Sequence, residues 1–323
     1  MSDKATCELL TKSEIGVVVD KPSCALHPMI KCLAIIGVGL IGGSLALAVK
    51  RAGVCQEIVG GGRDEAQLCK ALELGVIDRY EIDIATAVHD ADMVVVAVPL
   101  GAMEEVLRQI AGHVRPDTLI TDTGSAKGSV VAAARAAFGA VPQTFVPGHP
   151  IAGMEKSGVE ASSVDLFEGQ RVILTPLPDT QTEALAAVRT LWQHTGAEIV
   201  EMEVEHHDAV LAATSHLPHV LAYVLVDMLA RMDESHEIFH FAAGGLRDFT
   251  RIASSDPVMW RDICLANRVT VLSMLERFSS ELASLTAAIR AADETHVLSV
   301  FTRSKVARDL YYQDKSLASK EIQ

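Results

Sequence analysis

Gly37-Val38-Gly39-Leu40-Ile41-Gly42 closes the apolar run Cys32–Gly37 and leads into a stretch that reads as helix from about Gly42-Gly43-Ser44. A strand that turns through three glycines directly into a helix restricts the fold more than any other feature of this chain. Gly37 permits the turn, Gly39 lets the backbone approach a pyrophosphate, and Gly42 permits close helix–strand packing. The phosphate then rests on the positive end of the helix. The spacing therefore predicts a dinucleotide-binding βαβ unit, with Leu40 and Ile41 in the turn beside the cofactor.

From Lys31 to about Glu203, short apolar runs alternate with helical stretches, the pattern of a doubly wound, mainly parallel α/β sheet of Rossmann type. Expected strands are 32–37, 57–61, 93–98, 118–122, 145–148, 171–175 and 197–202. After Glu203 the period becomes helical: 204–232, 237–253, and one long helix from Pro257 into the 290s, started by Ser255-Asp256-Pro257. Within it Val271, Leu275, Phe278, Leu282, Leu285 and Ile289 recur at alternating spacings of four and three. That is a coiled-coil-like seam, and on so long a helix it predicts a homodimer contact rather than an internal core stripe. The expected organisation is an extension (1–30), a dinucleotide-binding domain (31–203), a helical substrate and dimerisation domain (204–315), and a tail (316–323).

Bulk properties exclude several classes. A net charge of −14 over 323 residues leaves no broad basic field for nucleic acid, so an anionic substrate needs a local basic pocket. The uncharged run 33–49 falls short of a membrane span and is broken by glycines, and residues 1–30 lack the apolar core of a secretory signal. Met29 is an alternative start. Six cysteines include no CxxC pair, which fits reduced thiols in the cytoplasm.

Cofactor choice turns on the end of the second strand, where NAD binders place a carboxylate for the ribose 2′-hydroxyl. Here the chain reads Gly60-Gly61-Gly62-Arg63-Asp64. Arg63 suits a 2′-phosphate and Asp64 opposes it, leaving NAD and NADP open with a lean to NADP. Val98-Pro99 ends a strand beside the expected nicotinamide ribose. Asp122-Thr123-Gly124-Ser125-Ala126-Lys127-Gly128 and Gly148-His149-Pro150 both follow strands, at the edge where ligands bind. Ser125 is either an orienting hydroxyl that also borders the cofactor or a helix cap, and Lys127 is placed to hold an anion. His149, on a Gly/Pro-rich loop, is a candidate base for hydroxyl oxidation.

In the helical half, His216 and His219 share a face around Pro218, which is expected to kink its helix. Arg247, Asp248 and Arg251 fall within one turn after Gly244-Gly245, a carboxylate clamp or a surface ion-pair ladder. The histidines lack the partners that complete a metal set, so no metal is expected. A β-hydroxyacid dehydrogenase would present a lysine base on the first helix after the sheet. This one carries His206, His207, His216 and His219 instead.

GVGLIGGSLA, DTGSAKG, GHPIAGMEKSGVE, SHLPHVLAYVL and GGLRDFTRIASSDPVMWRDI occur in this order. Together they resemble the prephenate/arogenate dehydrogenase family from about Lys31 to the end of the long helix. The resemblance implies oxidative decarboxylation of a cyclohexadienol acid by a nicotinamide cofactor. It implies that His149 is the catalytic imidazole, Ser125 its orienting partner, Arg251 the carboxylate-binding arginine and His219 a substrate-binding histidine. Glu155, Asp248 and Arg247 are implied at the pocket mouth. The residues do not choose between prephenate and arogenate, and any feedback by tyrosine is expected at or near the active site.

Overall fold

Residues 32–36 of the first strand are all buried, and alternate side chains go to opposite faces. Leu33 and Ile35 join one apolar cluster with Leu45 and Val49, whereas Cys32, Ala34 and Ile36 join another with Val94 and Leu107. A strand buried on both sides is central in a sheet covered by helices on both faces. The computed structural model describes residues 30–154 and 156–318, and bears this out.

The order begins β1 (Ile30–Ile36), α1 (Leu40–Ala52), β2 (Cys55–Gly61), α2 (Glu65–Glu73), β3 (Arg79–Glu81), α3 (Ile84–Val88), β4 (Met93–Val96) and α4 (Leu100–Ile110). It continues with β5 (Leu119–Asp122), α5 (Lys127–Phe138), β6 (Phe145–Val146), β7 (Gly148–Pro150), β8 (Arg171–Leu174), α6 (Thr182–Gln193) and β9 (Glu198–Glu201). A parallel sheet runs β3-β2-β1-β4-β5-β6, so the strand order reverses between β1 and β4. Ligand crevices in such sheets open at that switch point, beyond the carboxyl ends of the strands.

Two departures from the sequence expectation concern strands. β3 is only three residues long, too short to give a period. The run 145–148, expected as one strand, divides at Pro147. β6 stays in the parallel sheet, while β7 joins a second sheet, antiparallel to β8, with β9 parallel to β8 on its far side. Proline lacks the N–H that would continue a ladder, and its carbonyl accepts Thr175 N–H at 2.9 Å. His149 therefore sits on a strand, opposite Ile173, and not on a loop.

The helical part starts with α7 (Val204–Leu211), a π-helical turn (Ala212–His216) and α8 (Leu217–Ala230). The widened turn sits directly before Pro218 and absorbs the hydrogen bond that proline cannot make. This apolar stretch, Val204–Ala230, has the length and composition of a membrane span. Its first turns, however, carry His207 and Asp208, whose side chains bond groups inside the fold. The segment expected as helix over 237–253 is α9 (Ser235–His240), α10 (Gly244–Thr250) and a 3₁₀ turn (Arg251–Ser254), separated by residues 241–243. α11 (Pro257–Ala266) begins as expected, with Asp256 capping Met259 N–H at 2.8 Å.

The long helix breaks where it was expected to run on. Asn267 leaves helical geometry at φ −102°, ψ 32°, and a new helix α12 (Arg268–Arg290) follows, then α13 (Glu294–Ala318). The described chain forms two compact units, one ending at Asn267 and one beginning at Arg268. In the second unit Val271 is buried and Leu275 and Leu285 are half-buried, while Leu282 is 52% and Ile289 61% exposed. With Phe278 also exposed, half of the six seam residues lie on the surface of the single chain.

Candidate active site

The β5 strand ends on Asp122, whose carboxylate organises the turn beyond it. Asp122 Oδ2 accepts Gly124 N–H at 2.7 Å and the Lys127 ammonium at 2.5 Å, and Oδ1 accepts Gly148 N–H at 3.1 Å. Lys127 Nζ also donates to the Gly148 carbonyl. Both charged side chains are fully buried. Lys127 thus does not hold an external anion, as its place in the sequence had suggested. It is the internal clamp that joins β5, the start of α5 and β7, and so sets the position of His149.

His149 is buried, and its Nδ1 lies 2.9 Å from His207 Nε2, the rings meeting edge to face at 5.1 Å. His207 Nδ1 lies 2.8 Å from Asp208 Oδ1. Asp208 in turn accepts Lys127 N–H at 2.8 Å and Gly128 N–H at 2.9 Å. Those are the first amides of α5, whose own N-cap residue, Ala126, has no capping side chain. A carboxylate from α7 therefore caps α5 and supports its dipole, and Ser125 is not the cap. Burial, then His207, Lys127 and His216, push the His149 pKa well below the ordinary 6.5. The ring is neutral at pH 7 and carries a lone pair able to take a proton.

Asn267, at the break between α11 and α12, donates from Nδ2 to the Asp208 carbonyl at 2.9 Å and to His216 Nδ1 at 3.1 Å. Burial takes the His216 pKa down to about 4. One turn further, His219 donates Nδ1–H to the Ser215 carbonyl at 2.8 Å and stacks on Trp260, with ring centroids 3.5 Å apart and planes at 18°. Burial lowers the His219 pKa, the bond to the Ser215 carbonyl offsets part of this, and the charge of Arg251 lowers it again across space. Trp260 Nε1 is buried without a hydrogen-bond partner among the described residues.

At the cofactor end, Gly37 takes φ +97°, and a Cβ there would strike the Ala97 carbonyl and approach Val98 at 3.0 Å. A Cβ on Gly42 would strike the Gly37 carbonyl. Open space lies above Gly39, just ahead of Leu40 and Ile41 in the first turn of α1, where no side chain caps the helix. A backbone cradle without a Cβ at a helix N-terminus is what a pyrophosphate requires. The residues present fit a dinucleotide. Val98 lies beside this turn, and Pro99 is the N-cap of α4. β2 ends on Gly61, Arg63 is exposed, and Asp64 caps α2 by accepting Gln67 N–H at 3.1 Å.

Of the remaining expected residues, Ser125 is half-buried in the β5–α5 turn, and Arg247 and Asp248 are exposed on α10. Glu155 lies outside the described residues. Asp208, Asn267 and Trp260 were not singled out from sequence, and His207 was noted only among the histidines of the first helix after the sheet, not as a site residue. The available signal was the His206-His207-Asp208 triplet at the start of the first helix after the sheet.

Comparison with known proteins gives the family. Residues 45–201 match the family model described as prephenate dehydrogenase, nucleotide-binding domain, and residues 203–303 match prephenate dehydrogenase, dimerization domain. This chain belongs to the prephenate dehydrogenase family. Its similarity to cyclohexadienyl dehydrogenase of Zymomonas mobilis is 39% identity over 86% of this chain and 95% of that protein. Prephenate dehydrogenase of Bacillus subtilis is 37% identical over 88% of this chain and 77% of its own length. Among solved structures, Aquifex aeolicus prephenate dehydrogenase in complex with hydroxyphenyl propionate and NAD+ superposes with TM-score 0.81 at 36% identity, covering 86% of this chain and 97% of that one. Synechocystis arogenate dehydrogenase gives TM-score 0.73 at 25% identity, covering 87% and 99%. The Rossmann-type half and the helical half are thus those of an oxidoreductase family that uses NAD(P), and the helical half carries its dimerization domain.

Proposed function

We propose that the chain catalyses oxidative decarboxylation of prephenate to 4-hydroxyphenylpyruvate, with His149 as proton acceptor. The observation that carries this reading is a neutral, buried imidazole on β7 of the second sheet, tied through Lys127 and Asp122 to the carboxyl end of β5 in the parallel sheet. A nicotinamide dinucleotide held at the glycine turn Gly37–Gly42 would supply the hydride acceptor for C4 of the substrate. His149 accepts the proton of the C4 hydroxyl, Ser125 orients that hydroxyl or the ring, and the resulting vinylogous β-keto acid loses CO2 as the ring becomes aromatic. We assign Arg251 and His219 to the substrate carboxylate end, where the unpartnered Trp260 N–H adds a donor. Arg247, Asp248 and Glu155 are assigned to the mouth of the pocket. A second reading, arogenate to tyrosine or use of both acids, is favoured by the similarity to a cyclohexadienyl dehydrogenase.

One assay tests both choices: reduced-cofactor absorbance followed with prephenate and with arogenate, each against NAD and NADP. Turnover is expected with prephenate; turnover with arogenate alone would favour the second reading, and turnover with neither acid would defeat both. We propose NADP as the preferred cofactor, because β2 ends without a carboxylate and Asp64 is occupied as a helix cap, leaving Arg63 for the 2′-phosphate. Replacing Arg63 by alanine should then raise the NADP KM about tenfold and change that of NAD little. Equal effects on the two cofactors would remove Arg63 from this role. Arg251→Ala should raise the KM for substrate by about 10- to 100-fold, the loss of a charge-assisted hydrogen bond, with a smaller change in kcat.

The exposed seam on α12 and the dimerization-domain match support a homodimer through the helical half. Sedimentation equilibrium should return twice the chain mass, and Leu282→Glu with Ile289→Glu should return the chain mass alone. Free thiols at Cys32, Cys55, Cys69 and Cys264 fit a reducing compartment, and we place the protein in the cytoplasm.

A further inference from the structure

We propose that His207 and Asp208 are positioning residues for His149, fixing its tautomer and receiving its proton. The inference rests on the proposed role of His149 as base. Asp208 Oδ1 can only accept, so the 2.8 Å contact requires a proton on His207 Nδ1. His207 Nε2 is then the ring's acceptor, and the 2.9 Å contact to His149 requires a proton on His149 Nδ1. His149 Nε2 is left with the lone pair. The order of donors thus runs in one direction, from His149 to the carboxylate.

That carboxylate does not swing. Asp208 Oδ1 also accepts Lys127 N–H and Oδ2 accepts Gly128 N–H, and Asn267 holds the Asp208 carbonyl. Burial opposes the charge on Asp208, but the bonds from His207 and from those two amides outweigh it and keep the group ionised. The groups acting on His149 are His207, Lys127 and His216, and every one of them disfavours a positive charge there. Burial lowers the His207 pKa as well, and Lys127 adds to that, but His207 faces Asp208 and Asp122, which favour its charge, whereas His149 has no such partner among the described residues. A proton arriving at His149 Nε2 is therefore better accommodated one ring away.

The transfer balances. The substrate O–H bond breaks as His149 Nε2–H forms, and His149 Nδ1–H breaks as His207 Nε2–H forms. The O–H electron pair remains with the oxygen as it becomes a carbonyl, and the C4 hydride goes to the oxidised nicotinamide. His207 ends as an imidazolium against the Asp208 carboxylate, next to a neutral His149. A histidine in the middle of this chain can both orient and exchange a proton, whereas an amide can only orient.

Two measurements decide it. Nitrogen-15 spectra of histidine-labelled protein, assigned by the resonances lost in His149→Asn and His207→Gln, should show neutral His149 protonated at Nδ1. Protonation at Nε2 would overturn the proposal without reference to activity. In steady-state assays His207→Gln should lower kcat by about 10²-fold with substrate KM and cofactor affinity held near those of the parent. Its acid limb of kcat/KM should move to lower pH, because the proton-accepting ring beside Asp208 has gone and only the disfavoured His149 remains. A variant that keeps its turnover with an unmoved limb, or that loses only substrate and cofactor affinity, overturns the relay. Should neither dihydroaromatic acid be oxidised by the parent protein, the proposed function fails, and the tautomer measurement still decides the arrangement of the three residues.

Discussion

His149→Asn is expected to lower turnover by about 10²- to 10⁴-fold, the range lost when a positioned general base is removed. Asparagine is smaller but keeps a polar group in place of the imidazole, and it has no nitrogen that takes a proton at neutral pH. The glycine turn at Gly37–Gly42 is built from β1, α1 and the end of β4, none of which depends on the imidazole. Cofactor affinity, measured by titration calorimetry, should therefore stay within about twofold of the parent, a change too small to reach the tenfold that 1.4 kcal/mol represents. Turnover that survives the substitution removes His149 from the proton step. Loss of cofactor binding in parallel would instead mark it as a structural residue.

How far the chain could be read in advance differs sharply between its two ends. The glycine turn was legible because three glycines bound by strand and helix have few physical uses, and β1 and β4 were legible because both faces are buried and their residues are almost all apolar. His149 was legible as a residue type after a strand. Its setting was not, since the exchange of sheets at Pro147 depends on pairing with β8, more than twenty residues away. The break at Asn267 was hidden for a similar reason. Its apolar neighbours keep a helical period, and the break is stabilised by bonds to Asp208 and His216, each over fifty residues distant. Lys127 was misread because a lysine after a strand looks like an anion holder until its partner, Asp122, is seen to be buried with it.

That burial leads to the second large effect expected. Replacing Lys127 by methionine, close in length and apolar, should cost about 3–5 kcal/mol of stability, because it leaves the Asp122 charge buried without its partner. The two amides that Asp122 retains, Gly124 N–H and Gly148 N–H, offset part of the loss and place the expectation toward the lower figure. Denaturant unfolding followed by circular dichroism measures it as a lower midpoint at similar slope. Asp122→Asn introduced into the same chain removes the orphaned charge and should recover a substantial part of the stability. Activity should not recover with it. The ammonium holds the Gly148 carbonyl, and with it the strand that carries His149, so the double variant keeps a stable fold around a base that has lost its anchor. Recovery of both stability and turnover in the double variant would show that the pair is only a charge balance, and that β7 and its pairing with β8 suffice to hold His149 in place.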